Sequence, residues 1–155
     1  TALHWATKSN NETVIKLLLA RDVSVNATDN HNATPVHWAC GNSTIPILKL
    51  LVDRDADLSA RDGDGDPPIA WAAEKGIPDV FEYMLSLLLK HGADIDAKDS
   101  TGSTALMYAA SHWDDPEMCE ILLEHGADVR ARDNEGRKAW NRAHESGMNA
   151  TKKIL

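Results

Sequence analysis

The four residues Thr34-Pro35-Val36-His37 are one copy of a pattern that recurs along the whole chain of 155 residues. An earlier copy is Thr1-Ala2-Leu3-His4, and in a later copy Pro67-Pro68-Ile69-Ala70 fills the same positions. Altered copies begin at Thr104 and Lys138. A period of about 33 residues indicates that one short supersecondary unit is repeated. We therefore expect stacked units that contact their neighbours, and not a single central core.

Each copy of the pattern predicts the start of a helix. The side chain of Thr34 can accept a hydrogen bond from a free backbone N–H of the first turn. Pro35 suits the first helical position, because its missing N–H is not needed there. Val36, Ala39 and Cys40 then follow at i, i+3 and i+4, which is the spacing of an apolar helix face. We call this first helix of each unit the inner helix.

A second, outer helix is predicted in each unit. In the first unit it should span about residues 11–20. Val14, Leu17 and Leu18 have helical spacing there and are predicted to face inward. The third unit contains four additional residues near positions 79–84, which is close to one helical turn. We therefore expect a longer outer helix in that unit.

Turn segments, here called fingers, join the units at residues 26–33, 59–66, 96–103 and 130–137. Each finger has an aspartate and, three residues later, a residue that tolerates positive φ. We expect the fingers to form short β-hairpins that project from one edge of the stack. The aspartates are Asp29, Asp62, Asp99 and Asp133, and the expected positive-φ positions are Asn32, Gly65, Gly102 and Gly136.

The pattern at this period resembles the ankyrin repeat family over the whole chain. The resemblance implies an all-α solenoid of stacked helix-turn-helix pairs with short β-hairpin fingers. We expect a single domain at residues 1–155. Because the first unit begins inside its repeat, we expect the chain to be part of a longer protein. The five expected repeats are approximately 1–28, 29–61, 62–98, 99–132 and 133–155, and the last one is a degenerate, polar cap.

The resemblance implies a module that binds another protein through its concave face and fingertips, since ankyrin repeats share no common chemistry. The alternative is a regulatory or scaffolding segment of a larger enzyme or channel that docks within its own chain. At the fingertips, the implied binding residues are Asn30, His31, Ala33, Asp64, Asp66, Thr101, Ser103, Glu135 and Arg137. Behind them, the implied binding residues are Lys8, Ser9, Asn42, Glu74, Lys75, Ser111, His112 and Trp113.

Composition narrows the expected partners. The net charge of −8 argues against binding to nucleic acid or to an anionic membrane surface. Cys40 and Cys119 lie in different repeats and are expected to be buried thiols, which is typical of an intracellular protein, cytoplasmic or nuclear. No spacing joins a serine, a histidine and a carboxylate into a catalytic set, and none is typical of metal ligands. We therefore expect a monomeric protein that is not an enzyme and has no metal or cofactor.

Two features have alternative interpretations. Trp5, Trp38, Trp71 and Tyr108 occupy equivalent positions of successive inner helices, followed by Arg142. This aromatic ladder is either packing between neighbouring helices or the floor of a binding groove.

The segment Asp62-Gly63-Asp64-Gly65-Asp66 begins like a calcium loop, but Ala73 stands where that loop needs a bidentate Glu. It is otherwise a solvated turn or an acidic fingertip that meets a basic partner.

The resemblance also assigns roles to two other kinds of residue. His4 and His37 should form hydrogen bonds within and between repeats. Asn26 lies at the finger position that an asparaginyl hydroxylase modifies in ankyrin repeats, so the chain could also be a substrate for that modification.

Overall fold

The structure of the chain, a computed structural model, describes residues 1–74, 78–112 and 116–155, with Asp79 described by its backbone alone. These residues form helix pairs and no β-strand, so the fingers are turns. The inner helices are α1 (Ala2–Lys8), α3 (Pro35–Gly41), α5 (Pro68–Glu74), α7 (Ala105–His112) and α9 (Ala139–Glu145). The outer helices are α2 (Glu12–Leu19), α4 (Ile45–Val52), α6 (Pro78–Lys90) and α8 (Glu117–Glu124). A 3-10 turn at Thr151–Lys153 follows α9.

Neighbouring pairs stack in two layers. Each inner helix packs against the next inner helix, from α1 through α9, and each outer helix packs against the next outer helix, from α2 through α8. One continuous apolar core runs between the two layers. Cys40 and Cys119 are buried in this core as free thiols, as predicted. The predicted all-α solenoid is confirmed.

Buried histidines join the repeats, as predicted. The N–H of Thr34, the N-cap of α3, donates to Nδ1 of His37 over 3.1 Å. Nδ1 therefore carries no proton, and Nε2 donates to the backbone oxygen of Asp66 over 3.0 Å. His4 reaches the backbone oxygen of Ala33 in the same way, over 2.9 Å. Each neutral imidazole thus connects the start of its own helix to the finger of the next repeat.

The prediction that Val14, Leu17 and Leu18 form the inward face of α2 is wrong by one residue. Val14 and Leu17 are 39% and 56% exposed, whereas Ile15 and Leu19 are buried and Leu18 is half-buried. The residues of α4 at the positions equivalent to Val14 and Leu17 are buried or half-buried. Since α4 packs on outer helices at both sides and α2 on one side alone, the apolar face of α2 away from α4 is left open.

The additional residues of the third unit lie in its outer helix. Helix α6 contains 13 residues, whereas α4 and α8 contain 8 each. The longer helix keeps its apolar face inward, with Met84, Leu85 and Leu88 buried and Leu87 half-buried. The prediction of an extended helix is confirmed.

The fingers have the predicted turn geometry and are joined to one another. The four expected positions have positive φ: Asn32 at 56°, Gly65 at 87°, Gly102 at 79° and Gly136 at 78°. Successive fingers share a backbone hydrogen bond, for example from the N–H of Gly63 to the oxygen of His31 over 2.7 Å. Asn134 donates to Thr101 in the same way, over 2.8 Å. The fingers therefore form one continuous edge of the stack.

Candidate functional site

Each finger is tied to the inner helix that follows it by an aspartate. Oδ1 of Asp29 accepts hydrogen bonds from two backbone N–H groups of its own turn, at His31 and Ala33. Oδ2 accepts from the indole Nε1–H of Trp38 over 2.8 Å. One carboxylate therefore shapes the finger and orients the ring beneath it.

The same arrangement recurs in the later repeats. Oδ2 of Asp62 accepts from the indole of Trp71 over 2.8 Å, and Oδ2 of Asp99 accepts from the hydroxyl of Tyr108 over 2.6 Å. In the last repeat the partner is cationic, because Nη1 of Arg142 lies 3.8 Å from Oδ2 of Asp133. The aspartate always precedes its partner by nine residues.

The calcium interpretation of the acidic finger can now be compared with its geometry. Oδ1 of Asp62 accepts from the backbone N–H groups of Asp64 and Asp66, and Oδ2 accepts from Trp71. Both carboxylate oxygens are therefore used inside the protein. Within the described ranges, no group of three or more His, Cys, Asp or Glu side chains could hold a metal ion.

Three tryptophans of the aromatic ladder line a groove between the fingers and the inner helices, namely Trp5, Trp38 and Trp71. Trp38 and Trp71 are half-buried, and their ring centroids lie 6.0 Å apart. Trp5 is 70% exposed. The ladder therefore combines packing between neighbouring rings with aromatic surface that solvent can reach.

Two adjoining cavities form this groove. The first, of about 380 Å³, lies among Trp5, Lys8, Asp29 and Trp38. The second, of about 420 Å³, lies among Asp29, Trp38, Asp62, Asp64 and Trp71. Asp29, Asn30, His31 and Trp38 line both cavities. The groove thus runs across at least two repeat boundaries.

The acidic finger lies between the second cavity, which Asp62 and Asp64 line, and Tyr108, whose hydroxyl contacts Asp66. Burial raises the pKa of Asp66 to about 6, and repulsion from Asp62, Asp99 and Asp64 adds to this increase. Burial and the adjacent carboxylates raise the pKa of the Tyr108 hydroxyl. This end of the groove carries negative charge at neutral pH.

Most of the predicted binding residues are accessible. Asp66, Ser111 and Arg137 are half-buried, and Lys75 and Trp113 lie outside the described residues. Arg137 is also engaged in ion pairs with Asp133 and Glu135. The exposed ones are Lys8, Ser9, Asn30, His31, Asn42, Asp64, Glu74, Thr101, His112 and Glu135.

Two of the predicted binding residues are buried, and their side chains cannot contact a partner. Ala33 has no exposed surface, because it lies at the base of its finger and its carbonyl receives His4. Ser103 is 1% exposed, and its hydroxyl accepts from Nη2 of Arg142 over 3.0 Å. These two positions support the fingers from inside.

Asp29 was missing from the predicted binding residues, although it lines both cavities. Trp5, Trp38 and Trp71 also line the groove, which agrees with the second interpretation of the aromatic ladder. The interval of nine residues between each finger aspartate and its ring could have identified Asp29 as part of the site. Asn26, the candidate for hydroxylation, has an exposed side chain whose Oδ1 accepts from the N–H of Asp57 over 2.8 Å. It therefore also joins two repeats.

None of the helices formed by the described residues combines the length and the apolar character needed to cross a bilayer.

Comparison with known families supports the repeat assignment. A family model described as ankyrin repeats (3 copies) matches residues 1–62 and 47–133 of the chain. No curated protein matches the sequence. Ankyrin repeats are in general protein–protein interaction modules, and their domains are generally non-catalytic.

Proposed function

Since this chain belongs to the ankyrin repeat family, we propose that it binds a partner protein through the groove between its fingers and inner helices. The two adjoining cavities that share Asn30, His31 and Trp38 support this proposal most directly. The indole rings of Trp38 and Trp71 are held by hydrogen bonds to the finger aspartates, so the floor is already ordered before a partner arrives. Aromatic rings of this kind are frequent anchors in protein interfaces.

The proposal includes a protein that is monomeric, non-catalytic and intracellular, and that binds neither nucleic acid nor a membrane. Its net charge of −8 favours a partner of opposite charge. The buried free thiols of Cys40 and Cys119 are consistent with a reducing compartment.

Affinity capture with a matched pair of variants tests the proposed surface. His31 is exposed in both cavities, whereas His91 is exposed beyond the end of α6 and lines neither of them. We expect a partner that is retained by the wild type and by His91→Arg but lost with His31→Arg. Equal retention by both variants would show that the part of the groove shared by the two cavities is not the binding surface.

The alternative of docking within a longer parent chain needs a separate experiment. A photocrosslinker at Asn30, an exposed groove residue, would report what occupies the groove in the full-length protein. Crosslinks to a second protein support the proposal. Crosslinks confined to the same polypeptide support the alternative.

A further inference from the structure

Lys8 places a cation between two aromatic rings at the first cavity. Its Nζ lies 5.5 Å from the ring centroid of Trp5 and 5.3 Å from that of Trp38. Both distances are within the range of a cation–π interaction. None of the ion pairs between described residues includes Lys8. The ammonium group is therefore held in place mainly by aromatic faces.

The rings of Trp38 and Trp71 form the next pair along the groove, and no lysine of the described residues lies between them. Gly41 occupies the position equivalent to Lys8 in the second repeat. A Cβ atom at Gly41 would lie 2.7 Å from Cε3 of Trp71, so this ring packs directly over the glycine. Trp71 and Trp38 consequently contact each other. Between Trp5 and Trp38, in contrast, the side chain of Lys8 occupies a space that we call the Trp5–Trp38 slot.

The slot is accessible and its inner wall is rigid. Trp38 is oriented by its hydrogen bond to Asp29, whose carboxylate also lines the first cavity. Trp5 remains 70% exposed although Lys8 lies over it. An indole with this much exposed surface can contact a further molecule without any change of the fold.

The surrounding charge favours a cation from outside. The adjoining cavity adds the carboxylates of Asp62 and Asp64, and no lysine or arginine of the described chain lines it. A basic segment lying along the groove would therefore meet aromatic faces at one end and carboxylates at the other. Among the described residues, Lys8 is the one lysine or arginine of the first cavity, and it would compete for the slot.

We propose that the Trp5–Trp38 slot receives a lysine or arginine side chain from an extended, basic segment of the partner, and that Lys8 is the internal occupant which this side chain displaces. The inference rests on the proposed function, since it specifies the partner of the same groove. It differs from a purely structural role for Lys8, because a structural lysine would not compete with the partner.

Two substitutions that remove the same charge separate these roles. Lys8→Met removes the ammonium and keeps an unbranched side chain over the rings. Lys16→Met removes an exposed lysine of α2 that pairs with Glu12 and does not line the groove. Both variants become more negative by one charge, so long-range attraction of a basic ligand increases equally. A difference between them therefore reports a local effect of Lys8 in the first cavity. A substitution of Trp5 then separates entry of a cation into the slot from simple repulsion by the Lys8 ammonium.

The probes are a ten-residue peptide of alternating lysine and glycine and a matched peptide of alternating glutamate and glycine, titrated by calorimetry. We expect Lys8→Met to bind the basic peptide about two- to fivefold more tightly than Lys16→Met, which is the factor equivalent to one exposed cation–π interaction. In Lys8→Met, an additional Trp5→Leu substitution should abolish this gain. Indole N–H signals of Trp5 and Trp38 should shift on addition of the basic peptide.

Several results would overturn the inference. Equal affinities of the two lysine variants, or no binding of the basic peptide to either, would show that no cation enters the slot. Binding of the acidic peptide that is lost in Lys8→Met would show that Lys8 itself contacts an anionic ligand. Binding of a partner protein in the groove would survive each of these results, because the His31→Arg capture experiment tests the groove itself. Only the expectation of a partner of opposite charge would be lost.

Discussion

The hydroxyl oxygen of Tyr108 lies 2.9 Å from Oδ1 of Asp66, a residue in the finger of the preceding repeat. The same oxygen lies 2.6 Å from Oδ2 of Asp99 in its own finger. A phenol has one proton and can donate to one of these carboxylates only. When Asp66 is protonated it can donate to Tyr108, and both contacts are then hydrogen bonds. When Asp66 is ionised, one of the two contacts lacks a proton.

Asp66 should therefore make the protein more stable at mildly acidic pH. Its pKa is raised to about 6 in the folded protein from an ordinary value of 3.8. The folded state binds the proton of Asp66 more tightly than the unfolded chain does. The stability that this proton adds is therefore fully present below about pH 4 and is lost as the pH rises through 6. Asp66→Asn mimics the protonated group. At pH 8 we expect the unfolding free energy of Asp66→Asn to exceed that of the wild type by about 1 kcal/mol, a value that allows for solvent screening. Near pH 4 the two proteins should be equally stable, because Asp66 of the wild type is then protonated.

Urea unfolding at several pH values measures this difference. Asp64→Asn is the control, because its exposed side chain removes the same charge without contacting Tyr108. An equal gain from both substitutions at pH 8 would attribute the effect to general charge repulsion in the finger.

His37 should produce the opposite dependence on pH. Burial lowers its pKa below the ordinary value of 6.5. The unfolded chain takes up the proton first, so this contribution to stability is lost as the pH falls below about 6.5. His37→Asn keeps an acceptor for the N–H of Thr34, as Asn141 does for Lys138 in the last repeat. The substitution removes the hydrogen bond from Nε2 to the backbone oxygen of Asp66. It should therefore lower the free energy of unfolding by about 1–2 kcal/mol at pH 7. The cost should shrink at pH 5, and an unchanged cost would contradict the neutral imidazole.

The capping threonines of two repeats should respond differently to the same substitution. The hydroxyl of Thr34 lies 2.9 Å from Nδ1 of His37, whereas Oγ1 of Thr104 is buried without a hydrogen-bond partner among the described residues. Met107 stands where His37 stands in its repeat and offers no nitrogen to Thr104. Thr34→Val should cost about 1 kcal/mol, while Thr104→Val should be neutral or stabilising by up to about 1 kcal/mol. Thermal unfolding of both variants gives the comparison, and similar losses would show that Thr104 has a partner.

Two leucines of the outer layer test the packing of the stack. Leu51 has no exposed surface, and Leu17 is 56% exposed. Leu51→Ala should lower the free energy of unfolding by about 2–5 kcal/mol, the usual range for truncation of a buried leucine. Leu17→Ala should change it by less than about 0.5 kcal/mol. If Leu17→Ala were as costly as Leu51→Ala, the face of α2 away from α4 would have to be covered in solution.

The repeated pattern was sufficient to predict the architecture, because several local signals coincide in each unit. Thr34 and Pro35 favour the same helix start for different physical reasons, and the family resemblance adds the hydrogen bonds of His37. Asn32 and the finger glycines mark positions of positive φ that few other residues tolerate. Such signals depend on a few neighbouring residues, so they can be read without knowledge of the tertiary structure.

The features that were missed depend on neighbouring elements. Leu17, Leu18 and Leu19 are all apolar, so the spacing rule allows two inward faces for α2. Packing against α4 decides between them. Ala33 and Ser103 resemble fingertip residues in the sequence, but they are covered by side chains that arrive from other repeats. Long-range contacts of this kind leave no local signal.

The position of the additional turn in α6 has a consequence for how this chain can change in length. The fingers at residues 59–66 and 96–103 are separated by this longer repeat, yet the N–H of Ser100 still reaches the oxygen of Asp64 over 3.3 Å. The insertion is absorbed on the side of the stack that faces away from the groove. Peptide tags or reporter sequences inserted beside α6 should therefore be tolerated. The same insertions placed in a finger would break the backbone hydrogen bonds between neighbouring fingers and disturb the groove that we propose as the binding surface.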